Sequence, residues 1–123
     1  MVLNLSKALK TTSILDYGCG KGTLGASLPF PIWEYDPAII GKDGVPRSAD
    51  IVVCINVLEF VEPEMLENVL GDICRCSNRV AFIVLEGKKE DWEARFEPFF
   101  KIGTILEHGK EIHCVLEPKV GFR

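Results

Sequence analysis

The chain has 123 residues, 47 % hydrophobic and 26 % charged, with a formal net charge of −4. Those values describe a single globular domain over residues 1–123 and exclude a disordered chain. Nucleic acid is not indicated as a partner, because a duplex binder shows a clustered basic face and here Lys88-Lys89 is the one small basic cluster.

In chain order, residues 13–16 form a short apolar entry and read as a buried strand ending at Asp16. Residues 18–22 are a glycine-rich loop, and residues 23–28 a short helix stopped by Pro29 and Pro31. A second strand is expected over residues 32–35. Residues 38–48 hold Gly41, Gly44 and Pro46 and read as loop. Residues 50–55 are continuously apolar and β-branched, which suits a central parallel strand covered on both faces. Pro63 opens a helix whose Met65, Leu66, Val69, Leu70 and Ile73 fall at helical spacing. Residues 79–85 read as a fourth strand. Residues 90–100 read as a helix with Trp92, Phe96, Phe99 and Phe100 on its inner face. Strands over about residues 102–106 and 112–116 close the chain around a turn at residues 107–110. Strands alternating with helices imply a parallel, doubly wound α/β sheet, and the final hairpin must put one antiparallel strand into it.

Five cysteines stand at Cys19, Cys54, Cys74, Cys76 and Cys114. An odd count without a signal peptide is expected of a reduced, intracellular protein. Cys74-Arg75-Cys76 lacks the spacer of a zinc site, and no second pair completes four ligands, so the cysteines are expected to be small buried apolar residues and no metal is expected. No apolar run approaches the roughly 20 residues of a membrane span, so a soluble, cytoplasmic protein is expected.

Ligands of open parallel sheets sit beyond the C-terminal strand ends. Asp16, Asp36 and Asn56 fall at three such ends and are predicted to converge. Gly18, Gly20 and Gly22 allow a tight turn and a close approach of ligand to backbone. The amides of the following helix point into the same space, a common device for anionic groups. Asp36 is placed to accept hydrogen bonds from two ribose hydroxyls. The stretch from Gly20 to Gly25 also fits the dinucleotide pattern GxGxxG. Against a dinucleotide stands Asp16, before the first glycine, whose charge would repel a pyrophosphate and pair with an ammonium. The length also leaves no second half for a nicotinamide, and no Gly-Lys-Ser/Thr phosphate loop occurs.

With these residues in place, the chain resembles the class I S-adenosylmethionine-dependent methyltransferases. Ile14 to Gly22 (ILDYGCGKG) resembles that family's first motif, Trp33 to Pro37 (WEYDP) its second, and Ala49 to Pro63 (ADIVVCINVLEFVEP) its fourth. The resemblance covers about residues 12–118, and the compact segment between strands also resembles short phage-type methyltransferase-like proteins. It implies a reduced, three-layer Rossmann-like sheet of six strands, mostly parallel, with the antiparallel hairpin at one edge. It implies Asp16 at the ammonium of the methionine moiety, with Tyr17 beside it in the motif. It further implies Gly18, Cys19 and Gly20 along the methionine, Asp36 on the ribose and Pro37 against the adenine. Asp43 corresponds to the acid that meets the adenine amino group, and Asn56 and Val57 to positions near the sulfonium.

The departures are specific. The helix and strand that usually follow the second motif are replaced by residues 38–48. Phe60 stands where many relatives have His, the N-terminal lid is nearly absent, and no insertion shapes an acceptor pocket. Glu59 is a weak candidate general base, with a helix-flanking role as the alternative. His108, in the predicted turn, and His113, on a predicted edge strand, read as surface residues. Lys21 reads equally as a ligand-carboxylate contact or a solvated loop residue. The expected function is methyl transfer from S-adenosylmethionine to an unidentified acceptor. Two alternatives are a non-catalytic binding module or subunit of a complex, and an enzyme that degrades the donor. A homodimer or partner protein would give the short sheet cover.

Overall fold

Among the described residues every strand enters one sheet. The computed structural model describes residues 1–119. Its elements are α1 (Val2–Leu9), β1 (Ile14–Tyr17), α2 (Thr23–Ser27), β2 (Trp33–Tyr35), β3 (Ala49–Ile55), a 3-10 turn (Leu58–Phe60), α3 (Pro63–Cys76), β4 (Ser77–Glu86), α4 (Lys89–Phe96), β5 (Phe100–His108) and β6 (Glu111–Pro118). The six strands run in the order β2-β1-β3-β4-β6-β5. β1 pairs in parallel with β2 and β3, and β3 with β4. β6 is antiparallel to both β4 and β5. The expected reduced, mostly parallel sheet with one antiparallel hairpin strand is therefore present.

The sheet is the middle of three layers. On one face, Leu70, Ile73 and Cys74 of α3 and Trp92 and Phe96 of α4 pack on Leu15, Val52, Ile83 and Cys114. On the other, Val2, Leu5 and Leu9 of α1 and Leu24 of α2 cover Ile14, Ile51, Val53 and Phe82. β3 and β4 are buried from both sides, which is why their sequences are continuously apolar rather than alternating. All five cysteines are free and buried, as expected for small apolar residues.

Three expectations about the elements need correction. The region before β1 was read as nearly without a lid, yet it forms α1. Its Val2-Leu5-Leu9 stripe is short but packs on one face of the sheet, and Lys10 ends it at φ 55°. The helix expected over residues 90–100 stops at Phe96: Pro98 cannot donate within a further turn, and Phe100 instead begins β5. The strand carrying His113 lies between β4 and β5, so it is an inner strand and β5 is the edge.

Phe96 joins the α4 cap to the hairpin. It is fully buried, 5.6 Å from the Trp92 ring and edge-on to Phe100 at 6.3 Å. Phe96→Ala is expected to lower unfolding free energy by about 3–5 kcal/mol, read from urea denaturation. A loss under about 1 kcal/mol would mean that α4 does not seal this face.

Candidate functional site

The C-terminal ends of β1, β2 and β3 meet at one edge of the sheet, and the loop after β1 is fastened to the end of β2. The Gly18 and Cys19 amides both donate to the Tyr35 carbonyl, at 2.7 and 3.1 Å. The Gly20 amide donates to Asp36 Oδ2 at 3.0 Å, and the Ala38 amide to Asp36 Oδ1 at 2.9 Å. Asp36 thus ties the glycine turn to the start of the 36–48 loop. Gly18 is required twice over. Its φ is +82°, and a Cβ there would stand 2.6 Å from Val57 Cγ2. Around Gly20, at φ +55°, a Cβ would meet nothing within 4 Å, so that stretch of backbone faces open space.

Asp16 ends β1 inside this frame. It is 5 % exposed, and no hydrogen-bond donor among the described residues reaches its carboxylate. Its pKa is pushed up to about 6, first by burial and then by the Glu34 carboxylate. Lys42 opposes the shift, and Asp36 adds to it. Asp16 and Glu34 stand opposite each other in the β1–β2 register, and Lys42 pairs with Glu34 at 3.1 Å. Burial also raises the Cys19 thiol, so Cys19 is neutral and not a nucleophile at neutral pH.

Asp16, Gly18 and Cys19 line a hollow of about 340 Å³, closed by Thr23, Leu24 and Ser27 of α2 and by Ile55. Asp36 lies next to it through its bond to Gly20, and Pro37 follows it exposed. Val57 is packed behind Gly18. Asn56 adopts φ 54° and donates its amide to the Val84 carbonyl at 2.7 Å, leaving its side chain exposed at the β3 end. Asp43 sits on the exposed part of the 36–48 loop, with Gly41 donating to it at 3.3 Å.

Two sequence-selected residues turn elsewhere. The Tyr17 ring stacks on Tyr35, and its hydroxyl donates to Asp72 of α3 at 2.6 Å, so only its backbone borders the glycine turn. Glu59 accepts the Glu86 amide at 2.9 Å and lines a separate hollow with Trp92 and Arg95. Thr23, Leu24, Ser27, Ile55 and the Glu34–Lys42 pair were not singled out from sequence. Leu24 and Ser27 carried a usable signal, being three apart on the helix that must face the strand ends.

Among the described residues no group of three or more His, Cys, Asp or Glu is placed to hold a metal ion. No described helix is long and apolar enough to cross a membrane.

No protein-family model matches the chain, and neither does any curated protein by sequence. Solved structures do match. Magnesium protoporphyrin IX methyltransferase from Synechocystis PCC 6803, with bound S-adenosylmethionine, is 14 % identical, with TM-score 0.65 over 94 % of this chain and 74 % of its own. The 1,6-didemethyltoxoflavin-N1-methyltransferase of Burkholderia thailandensis, with that substrate and S-adenosylhomocysteine bound, is 12 % identical, with TM-score 0.73 over 95 % and 76 %. TehB from Haemophilus influenzae is 14 % identical, with TM-score 0.69 over 96 % and 61 %. At these identities the likeness is one of architecture, and the chain has the Rossmann-like methyltransferase fold.

Proposed function

We propose that the chain is an S-adenosylmethionine-dependent methyltransferase acting as one minimal domain over residues 1–123. The observation that carries this reading is Asp16. A buried carboxylate without a hydrogen-bond donor stands at a hollow walled by a glycine turn. Such a group calls for a cationic partner, and the ammonium of an amino acid moiety supplies one. The donors and products bound in structural neighbours support the same ligand.

The residues present fit that ligand. Asp16 holds the ammonium, and Gly18, Cys19 and Gly20 offer backbone to the methionine chain. Asp36 keeps lone pairs for ribose hydroxyls after accepting two amides, since a carboxylate has about four acceptor sites. Pro37 lies toward the adenine, Asp43 is assigned to its amino group, and Asn56 and Val57 flank the sulfonium. Once bound, S-adenosylmethionine supplies an already activated methyl group. The chain's own part is to orient the donor and exclude water. A second hollow beside the first favours transfer over a bare binding module or a donor-degrading enzyme. The five free, buried thiols suit a reducing cytoplasm. The exposed β5 edge is where a second copy or a partner protein would add cover.

Titration calorimetry with S-adenosylmethionine and S-adenosylhomocysteine is expected to show one site per chain. Asp36→Ala should weaken it about 10- to 100-fold, the worth of a charged acceptor. No heat from either ligand at millimolar concentration overturns the donor reading, and unchanged affinity in a folded Asp36→Ala chain removes Asp36 from the site.

The raised pKa of Asp16 gives a second test. Below about pH 6 the carboxyl is protonated in the free chain and must release its proton to meet an ammonium. Affinity is therefore expected to fall roughly tenfold per pH unit below about 6 and to level off above it. Asp16→Asn should bind weakly and lose that slope. A native chain equally tight at about pH 5 and about pH 7 would put the ammonium elsewhere.

A further inference from the structure

A groove of about 450 Å³ opens beside the donor hollow and shares Leu24, Ser27 and Ile55 with it. Its size is that of a small-molecule site. Phe82 and Val84 of β4 and Leu3 of α1 make much of it apolar, while the polar groups are Asn56, Glu111 and His113 together with Ser27. Among the described residues no Lys or Arg side chain lines it, while the Glu111 carboxylate does, which disfavours a phosphate or polynucleotide.

His113 is the member that nothing in the donor site uses. Strand alternation sends Ile112 and Cys114 into the α3–α4 core and turns His113 to the opposite face. Its ring is edge-on to Phe82, with centroids 6.2 Å apart, and 4.6 Å from the His108 ring. Nε2 lies 3.5 Å from Glu111 Oε1. Nδ1 is buried and has no hydrogen-bond partner among the described residues. With Nε2–H turned to Glu111, Nδ1 keeps a lone pair that no protein donor satisfies, a condition that calls for an explanation.

We propose that this groove is the acceptor site. Its occupant is a small, flat, largely apolar molecule bearing one acidic N–H or O–H, and His113, oriented by Glu111, takes that proton. The inference rests on the methyl-transfer reading above. The acceptor's N or O forms a bond to the methyl carbon as the methyl–sulfur bond breaks. That bond's electron pair stays on sulfur, which becomes a neutral thioether. The acceptor's proton passes to the imidazole, and then to solvent by way of the partly exposed Glu111.

The test uses 2-naphthol and its O-methylated form, 2-methoxynaphthalene, as probes of the full chain, followed by NMR with and without S-adenosylhomocysteine. The naphthol is expected to bind about tenfold more tightly than the ether, shifting Val84 and His113 signals. His113→Phe, which keeps an aromatic ring against Phe82, should abolish the preference. Leu3→Trp, on the partly exposed wall, should block both probes and leave S-adenosylhomocysteine affinity unchanged. Equal binding of the two probes by the native chain overturns the role of His113. Binding that survives Leu3→Trp, or no probe binding in a chain that holds S-adenosylhomocysteine, overturns the groove. A chain that binds naphthol selectively but not S-adenosylhomocysteine overturns the methyl-transfer role and the donor reading together.

Discussion

The two amides that Gly18 and Cys19 donate to the Tyr35 carbonyl hold the site together. β1 has four residues and β2 three, so neither strand could fix the geometry of a loop by pairing alone. Folding the loop back onto the end of β2 supplies the missing constraint. It brings Gly20 within reach of Asp36 and leaves Asp16 enclosed beneath the turn. Val57, arriving from the end of β3, then fills the space that a side chain at position 18 would need. Three strand ends far apart in sequence thus become a single rigid cradle.

The shortened second half of the sheet depends on the same junction. Where a further helix and strand would extend the sheet past β2, the chain has only residues 36–48. Its first half is closed on itself by the Asp36 amide donating to the Lys42 carbonyl at 2.8 Å. Lys42 reaches back to Glu34, and Arg47 lies over the Trp33 ring at 4.1 Å. These contacts hold the loop against the side chains of β2. Ile40 and Val45, by contrast, remain almost wholly exposed at the tip. The loop is therefore fastened to β2 by polar and cation–π contacts without building a new apolar layer.

Much of the sheet and half of the site were legible from sequence because their signals are local. The unbroken apolar runs of β3 and β4 and the glycines after Asp16 speak for themselves, and Asp16 and Asp36 each end a strand. The misses have physical causes. α1 carries no capping side chain and only a two-turn stripe, so its helical period had too little length to register. The α4 boundary was masked because Phe99 and Phe100 continue the aromatic run past Pro98. His113 was the consequential case. Alternation in β6 separates its two faces, but only the presence of α1 and the inner position of β6 decide that the second face is partly buried. Tyr17 failed in the opposite way: its place in the motif is right, but strand alternation sends its ring to Asp72 on the other face.

The state of Asp16 links stability to purpose. Its pKa in the folded chain, about 6, lies above its ordinary value of 3.8. The folded state therefore binds a proton more readily than the unfolded one, and stability contributed by this group falls as pH rises from about 4 to about 6. A shift of roughly two units corresponds to a loss on the order of 2–3 kcal/mol at neutral pH. That is a substantial part of the stability of a domain this size. A structural carboxylate would have been given backbone donors, as Asp36 was. Asp16 lacks them although the glycine turn passes directly above it, because those amides point to Tyr35 and Asp36 instead. The fold thus keeps an unsatisfied negative charge at the hollow, and a bound ammonium reverses the sign of its contribution. In the ligand-bound chain the same burial that destabilises the carboxylate strengthens its attraction to the cation, since both follow from the low local dielectric.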